Sequence, residues 1–224
     1  MTHFILDNRT IEGAAFDMDG TLIDCSHSRA AIQASVGDSF KIDWSQCGGR
    51  GVPFIHDWLS QQYPSFTMTK TDFLDECHHH HTDSLKFLTP RPGIIALLNL
   101  LRDRKIPIAV VTNTENGMAE KRLIQCGILD YMDVVIGSTA LNDRGLKMKP
   151  APDGYLLAAD LLKCPPKNMI GFEDSVAGMS ALQATDFMTV HIYDETVAPI
   201  AATDFQIDAR TDTDMMDFIR KIKI

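Results

Sequence analysis

Two aspartates stand two residues apart in the segment DMDGT, at positions 17 and 19, directly after the apolar stretch IEGAAF. Two carboxylates at i and i+2 can project from a single turn, because Gly20 relaxes the backbone and Thr21 can bond within the loop. Asp17 can then attack an electrophilic phosphorus, while Asp19 supplies a proton to the leaving oxygen. The spacing therefore predicts a nucleophile paired with an acid/base group.

Three further polar groups follow later apolar stretches of the chain. They are Thr112 with Asn113 in VVTNT, Lys149 in KMKPAP, and Glu173 with Asp174 in GFEDS. Phosphoryl transfer needs a cation and hydrogen-bond donors for the phosphoryl oxygens, which lysine, threonine and asparagine side chains can supply. The two adjacent acids, with Asp17 and a main-chain carbonyl, make an all-oxygen site suited to Mg²⁺. Together these residue types predict phosphoryl transfer at a magnesium site.

The pattern of apolar segments indicates how these groups come together. Segments typical of buried strands end just before most of the groups, and segments with one apolar helical face lie between them. Alternating strands and helices predict a parallel sheet covered on both sides, and its ligand crevice lies outside the carboxyl ends of the strands. The predicted strands are residues 11–16, 107–111, 133–137 and 168–172, then FMTVHIY and DFQIDA. The predicted helices are residues 93–104, 115–127, 152–162 and 175–184, with a closing helix in TDMMDFIRKI.

A helical segment interrupts this alternation after the first strand. Its predicted helices are residues 26–36, 52–62 and 70–86, joined by polar or glycine-rich pieces. The predicted domains are a core of residues 1–24 and 89–224 and an all-helical domain of residues 25–88. The two connections, IDCS and FLTPRPG, are expected to act as a hinge, and Pro90 and Pro92 stiffen the second.

Composition and charge restrict the kind of partner. The chain has 224 residues, of which 45% are hydrophobic and 23% charged, enough for one full core and a small second module. Its formal net charge of -9 repels nucleic acid and anionic lipid, so a local cationic pocket must hold a phosphorylated substrate. We therefore expect a small anionic substrate and neither a nucleic acid nor a membrane partner.

Apolar runs and cysteines indicate the compartment. No apolar run approaches the roughly 20 residues of a membrane span, and the start MTHFILDNRT lacks the pattern of a signal peptide. The cysteines are odd in number, widely spread and without a CxxC pair, which favours reduced thiols over disulfides or a zinc site. They are Cys25, Cys47, Cys77, Cys126 and Cys164. We expect a cytoplasmic location.

The segments DMDGT, VTNT, KPAP and GFEDS, in this order, resemble the four motifs of the haloacid dehalogenase-like superfamily. The resemblance covers about residues 11–192 and implies an α/β fold, a Rossmann-like parallel-sheet core with an inserted all-helical cap. The inserted helices resemble the cap of the branch that includes phosphoglycolate phosphatase and beta-phosphoglucomutase. In that branch the cap closes over the substrate and helps to select it.

The same resemblance implies a role for each motif residue. It implies that Asp17 forms an aspartyl-phosphate and that Asp19 is the general acid/base and offers its backbone carbonyl to Mg²⁺. Thr112 and Lys149 would hold the phosphoryl oxygens, and Asn113 beside them belongs to the expected substrate-binding set. Asp174 would be the outer metal ligand, with Glu173 next to it.

Two of these roles have alternatives. Lys147, two residues before Lys149, could be the lysine that turns inward, although Pro150 favours Lys149 by holding it extended. Glu173 could be a second metal ligand or a neighbour that reaches the ion through water. The residues alone leave the role of Glu173 open.

The helical segment adds further candidates. Arg29 stands where the beta-phosphoglucomutase cap carries a histidine, and His27 lies on another face of the same helix. Arg50 lies in the glycine-rich CGGRGV, and both arginines could anchor an anionic substrate group or be surface charges. The histidine run at 78–81 indicates a solvated helix, because one helix cannot direct four consecutive side chains at one metal ion.

The sequence therefore predicts a magnesium-dependent phosphatase of a small phosphorylated metabolite. A phosphomutase of the beta-phosphoglucomutase type is the first alternative, and a non-catalytic regulator phosphorylated on aspartate is the second. Receiver-type regulators place their acid pair before the nucleophile and need no inserted cap. The acids Asp19, Glu173 and Asp174 argue against a dehalogenase, which needs neither a second acid nor a metal.

Overall fold

The computed structural model describes residues 3–223, except the side chains of residues 80–84. The strands are β1 (Phe4–Leu6), β2 (Arg9–Ile11), β3 (Gly13–Phe16), β4 (Ile23–Asp24), β5 (Thr89–Pro90), β6 (Ile108–Val111), β7 (Val134–Ile136), β8 (Met169–Glu173), β9 (Met188–Tyr193) and β10 (Phe205–Asp208). The helices are α1 (Ser26–Val36), α2 (Trp44–Cys47), α3 (Val52–Gln62), α4 (Lys70–Ser84), α5 (Ile94–Asp103), α6 (Asn116–Gln125), α7 (Ser138–Asn142), α8 (Asp153–Leu162), α9 (Val176–Gln183) and α10 (Thr213–Lys221).

A six-stranded sheet of order β10-β9-β8-β3-β6-β7 forms the centre of the molecule, and all of its strand pairs are parallel. The middle strand β3 is buried throughout, and Ala15 pairs with Gly171 on one side and Ala109 on the other. A strand covered on both faces requires a continuous apolar run, which GAAF supplies. The predicted parallel α/β core is confirmed.

Apolar side chains on the two faces of the sheet form two clusters. Alternate residues of β3 point to opposite faces, so Phe16 joins the cluster under α5, α6 and α10 while Ala15 joins the cluster under α8 and α9. Phe16 also stacks on Phe172 of β8, with ring centroids 4.4 Å apart. Burying a side chain of this size stabilises the fold by roughly 1.5–3 kcal/mol. The core therefore fixes the carboxyl ends of β3 and β8, from which the motif residues extend.

Residues 25–88, called the helical insertion below, build a third apolar cluster from α1 to α4. Its two connections to the rest of the chain run side by side, because β4 pairs with β5 in antiparallel fashion. Within the insertion, α1 and α3 pack on α4, and α2 reaches α9 across the site. The predicted division into domains stays a prediction.

The structure differs from the expected elements mainly in short pieces. IEGAAF is not one strand: β2 ends at Ile11 and pairs with β1, in a hairpin whose turn residues Asp7 and Asn8 both have positive φ. Asp and Asn tolerate this left-handed conformation, which two-residue hairpin turns need. None of the described helices combines the length and the apolar character that a membrane crossing requires.

Candidate active site

The DMDGT loop leaves β3 at Asp17, which is only 5% exposed. The Asp17 N–H donates to the carbonyl of Phe172 at 2.9 Å, so the β3 ladder continues into the loop. Gly20 has a φ of 105°, and a Cβ on it would collide with the carboxylate of Asp174. Both the positive φ and the collision with Asp174 exclude a residue with a side chain at position 20. The glycine thereby lets the loop approach the carboxyl end of β8 closely.

Lys149 supplies the buried cation of the site. Its ammonium donates to Oδ1 of Asp17 at 2.6 Å and also pairs with Glu173, and its side chain is 2% exposed. Burial alone would lower the pKa of Lys149, but the two carboxylates outweigh it and the pKa is raised. Lys147 is exposed, so Lys149 is the lysine of this pair that lies in the site.

Glu173 lies at the end of β8, fully buried, with donors on both of its oxygens. Oε1 pairs with Lys149 and accepts from the Tyr155 hydroxyl at 2.9 Å. Oε2 accepts from the N–H groups of Asp174 and Ser175, at 3.1 and 3.2 Å. These contacts make Glu173 the group that orients Lys149 and the start of the loop after β8.

A divalent cation fits the acids at this edge of the sheet. Asp17, Glu173 and Asp174 each present a carboxylate oxygen within 4.8 Å of the others. Oδ2 of Asp17 is buried without a hydrogen-bond partner among the described residues. Burial and the neighbouring Glu173 raise the pKa of Asp17 well above its ordinary value, and burial raises that of Asp174 to about 7 despite a salt bridge to Arg29. Crowded carboxylates of this kind indicate a site that lacks positive charge.

Asp19 is directed away from this acidic cluster. The guanidinium of Arg122, on α6, donates to Oδ1 of Asp19, and the Thr114 hydroxyl donates to Oδ2 at 2.9 Å. The side chain of Asp19 is 25% exposed, whereas that of Arg122 is 3% exposed. Both carboxylate oxygens of Asp19 are therefore held by groups on α6 and on the loop after β6.

Thr112 and Asn113 form the start of that loop after β6. Thr112 is buried, and its hydroxyl accepts from the N–H of Thr114 at 3.1 Å. Asn113 binds the main chain of Lys149 twice, accepting from its N–H at 3.0 Å and donating to its carbonyl at 3.1 Å. Asn113 also donates to the carbonyl of Gly49 in the helical insertion at 2.7 Å. The side chain expected to bind substrate thus holds the lysine loop and the insertion together.

Arg29 reaches from α1 of the insertion into the site. It donates to Asp174 at 3.0 Å and to the Thr196 hydroxyl at 3.1 Å, and lies 3.7 Å from Asp194. Arg91 approaches from the other connection, with bonds to the Gly20 carbonyl at 2.9 Å and to Asp194 at 2.6 Å. Arg29 near the start of the insertion and Arg91 just after its end therefore both contact the loop after β9.

A cavity of about 400 Å³ lies beside these arginines, bordered by the insertion and by the loops after β9 and β10. Trp44 of α2 lines it, and its ring centroid lies 6.0 Å from the Arg29 guanidinium carbon. Arg50 does not join them: its guanidinium lies over the Phe54 ring at 4.6 Å and makes no ion pair with a described site residue. Arg29 thus lines this cavity and Arg50 does not.

The CGGRGV segment is more than a turn between helices. A Cβ on Gly49 would collide with the side chain of Ser175, which follows β8. Glycine is thus required for the close approach of the insertion to the sheet. Of the histidine run, His78 and His79 are exposed on α4, and the side chains of His80 and His81 lie outside the described residues.

Several site residues escape the sequence motifs. Each contacts a residue far away in the chain, so local spacing does not identify it. Two of them could have been identified from the sequence, because one is an arginine on the predicted apolar face of α6 and another is the arginine in PRPG. The residues are Thr114, Arg122, Tyr155, Arg91 and Asp194.

Comparisons with known proteins show what this chain is similar to. Residues 11–186 match a family model described as a hydrolase, haloacid dehalogenase-like hydrolase. Phosphoglycolate phosphatase of Neisseria meningitidis is 26% identical over 192 residues, which cover 81% of this chain and 80% of the relative. Hexitol phosphatase A of Escherichia coli is 30% identical over 178 residues, which cover 75% of this chain and 76% of the relative.

A solved structure shares the fold. The beta-phosphoglucomutase of Clostridium difficile matches with a TM-score of 0.73 at 22% identity, covering 94% of this chain and 96% of the other. At this identity the likeness concerns the fold alone. The match of the family model confirms the superfamily that the four motifs resemble.

Proposed function

We propose that this chain, which belongs to the haloacid dehalogenase-like hydrolases, is a magnesium-dependent phosphatase that acts through an aspartyl-phosphate on Asp17. Its class is that of a hydrolase of phosphoric monoesters. The observation that carries the proposal is the Asp17 carboxylate, which is buried and contacts Lys149 through one oxygen, while its other oxygen has no partner in the part of the chain that the structure describes. A buried carboxylate with a free oxygen beside a fixed cation is suited to attack a phosphoryl group.

In the first half of the reaction, a carboxylate oxygen of Asp17 forms a bond to phosphorus. The ester bond to the leaving oxygen breaks, and that oxygen takes a proton from Asp19, which enters this half of the reaction protonated and leaves it as the carboxylate that Arg122 and Thr114 hold. Lys149 and the Thr112 hydroxyl hold the phosphoryl oxygens and neutralise the charge that develops on them. The products of this half are the free alcohol and the acyl phosphate on Asp17.

In the second half, water attacks the phosphorus of the aspartyl-phosphate. Asp19, now a carboxylate, takes the proton from this water, and the bond between phosphorus and the Asp17 oxygen breaks. Inorganic phosphate leaves, Asp17 is regenerated as a carboxylate and Asp19 is again protonated. Over one turnover, both aspartates therefore return to the protonation states in which they began.

The carboxylates of Asp17 and Asp174 and the main-chain carbonyl of Asp19 would hold Mg²⁺. When bound, the ion neutralises charge and screens the nucleophilic carboxylate from the anionic phosphoryl group. Glu173, whose two oxygens already have protein donors, would not bind the ion directly. It would hold Lys149 and the Asp174 main chain in place beside the metal site.

The substrate is proposed to be a small phosphorylated metabolite, such as a sugar or organic-acid phosphate. Relatives named phosphoglycolate phosphatase and hexitol phosphatase support this class. We further propose that residues 25–88 are a cap domain, hinged at β4 and β5, which selects the substrate with Arg29 and Arg50. A cytoplasmic location stays a prediction.

Steady-state release of inorganic phosphate tests the proposal. The purified chain is assayed with Mg²⁺ on p-nitrophenyl phosphate and on a panel of sugar and organic-acid phosphates, with Asp17→Asn as the matched control. We expect many turnovers per chain on at least one metabolite and none for the control. A chain that takes up one phosphoryl group from a small donor without turning over would instead be a phospho-acceptor regulator.

A further inference from the structure

Arg122 is an unusual residue for its position on α6. It lies on the buried face of the helix with Ala119 and Leu123, while its neighbour Lys121 is exposed. Arginine is among the residues least often buried, because removing the guanidinium from water costs free energy that only good partners offset. An apolar side chain would be the ordinary choice on such a face.

The partners of Arg122 do not satisfy it. One guanidinium nitrogen, Nη1, donates to Oδ1 of Asp19, and Nε and Nη2 are buried without a partner among the described residues. An ion pair in which two of the three buried guanidinium nitrogens lack a partner among the described residues is a poor stabiliser of a fold. The benefit of Arg122 must therefore lie in what it does to Asp19.

What Arg122 does is fix the direction of the Asp19 carboxylate. Thr114 holds the other oxygen at 2.9 Å, so the carboxylate lies between α6 and the loop that also carries Thr112. Because the Asp19 side chain is a quarter exposed, losing one of these two contacts would let it rotate toward solvent. The angle from which Asp19 meets the leaving oxygen then depends on Arg122.

We propose that Arg122 is a positioning residue that orients Asp19 for proton transfer, at the expense of fold stability. The inference rests on the proposed function, because it acts through the acid/base role of Asp19. It assigns α6, a helix without motif residues, a part in the reaction. It also explains why a buried, incompletely paired cation is kept on an apolar face.

Thermal unfolding tests the stability half. In Arg122→Met a flexible apolar chain replaces the unsatisfied cation, so the Tm should rise by about 2–4 °C. Asp19→Asn should lower the Tm, because it leaves the buried guanidinium without an anionic partner. In the double variant that also carries Arg122→Met, the Tm should recover. A Tm that falls by more than about 5 °C in Arg122→Met would assign Arg122 a structural role and overturn the proposal.

Kinetics on two leaving groups test the functional half. Arg122→Met should lower kcat for an alkyl phosphate by about 10- to 100-fold with little change in KM, and lower it less for p-nitrophenyl phosphate, whose leaving group needs no proton. Arg122→Lys, which keeps a cation, should recover part of the loss. In an Asp19→Asn background, Arg122→Met should have no further effect on kcat.

The outcomes separate this inference from the function on which it rests. Equal losses on both leaving groups, or a further loss in the Asp19→Asn background, would overturn the positioning role alone. So would full activity of Arg122→Met beside an active wild-type chain. A wild-type chain without turnover on any phosphate would overturn the phosphatase and the positioning role together.

Discussion

The ammonium of Lys149 donates a 2.6 Å hydrogen bond to Oδ1 of Asp17, although 132 positions separate the two residues. This contact depends on Asn113, which binds both the N–H and the carbonyl of Lys149. The loop after β6 therefore holds Lys149 in place, and Lys149 in turn holds one oxygen of Asp17. The other oxygen stays available for attack on phosphorus.

Asp17→Asn should abolish turnover while the fold persists. The amide keeps the shape of the side chain but lacks the negative oxygen that attacks phosphorus, so kcat should fall by more than about 10⁴-fold. The Tm should not fall, because burial already disfavours the charged form of Asp17 and raises its pKa. Phosphate release and circular dichroism measure the two effects, and appreciable turnover by this variant would contradict the covalent mechanism.

Metal removal should stop the reaction reversibly. EDTA should abolish activity, Mg²⁺ should restore it, and Asp174→Asn should raise the Mg²⁺ concentration for half-maximal rate by at least about 10-fold. Ca²⁺ should inhibit, because it takes more ligands at longer distances than Mg²⁺ and would engage Asp17 in a geometry unsuited to attack. Titration of the rate with each ion measures this, and full activity in excess EDTA would show that the acids are not a metal site.

Without metal, the Tm should fall as the pH rises from 5 to 7.5. The folded-state pKa of Asp174 is raised to about 7, above the ordinary value of about 4 in an unfolded chain. The folded state therefore binds this proton more tightly, and the stabilisation present below pH 4 is lost as the pH rises toward 7. A decrease of at least about 3 °C in EDTA is expected across the window.

Two controls isolate this effect. Asp174→Asn removes one titrating group, so the slope should become smaller, while Asp17, whose pKa is also raised, keeps the remainder; Mg²⁺ should stabilise the wild type more at pH 7.5 than at pH 5. Asp194 does not contribute in the window: burial alone would raise its pKa, but the hydrogen bond from Arg91 and nearby contacts lower it below the ordinary value. A Tm that rises with pH in EDTA would contradict the raised pKa of Asp174.

The predicted convergence of the motifs succeeded for a simple geometric reason. In a parallel sheet, the carboxyl ends of β3, β6 and β8 lie at one edge. Residues that follow these strands therefore meet there, independently of how the connecting helices pack. Asp17, Thr112 and Asp174 come together in this way, whereas Lys149, which lies between α7 and α8, is held beside them by Asn113 of the loop after β6. The apolar runs that identify the strands and the polar residues that follow them are both visible in the sequence.

What the sequence did not reveal depends on packing between distant elements. The pairing of Arg122 with Asp19 spans 103 positions and that of Arg29 with Asp174 spans 145. Neither follows from local spacing, because each requires the position of a helix relative to the sheet. The helix α7 was not predicted for another reason: its five residues make little more than one turn, which is too short to show a repeating apolar face.

The enzyme should release phosphate from beta-glucose 1-phosphate slowly or not at all, and it should not form glucose 6-phosphate. A mutase must shield its aspartyl-phosphate from water and return the phosphoryl group to a second hydroxyl. Arg29 stands where the beta-phosphoglucomutase cap is expected to carry a histidine, and its guanidinium is engaged by Asp174 and Thr196. His27 cannot replace that histidine in this arrangement, because its ring stacks on Phe87 with centroids 5.1 Å apart.

A coupled dehydrogenase assay for glucose 6-phosphate, run beside a phosphate assay and with a glucose bisphosphate primer, measures both outcomes in one reaction. Any phosphate released should exceed glucose 6-phosphate by at least roughly tenfold, since Arg29 is engaged by Asp174 and Thr196 and His27 stacks on Phe87. Asp17→Asn serves as the blank for both products. Efficient formation of glucose 6-phosphate would overturn the assignment as a phosphatase, because the same aspartyl-phosphate would then be transferred to sugar faster than to water.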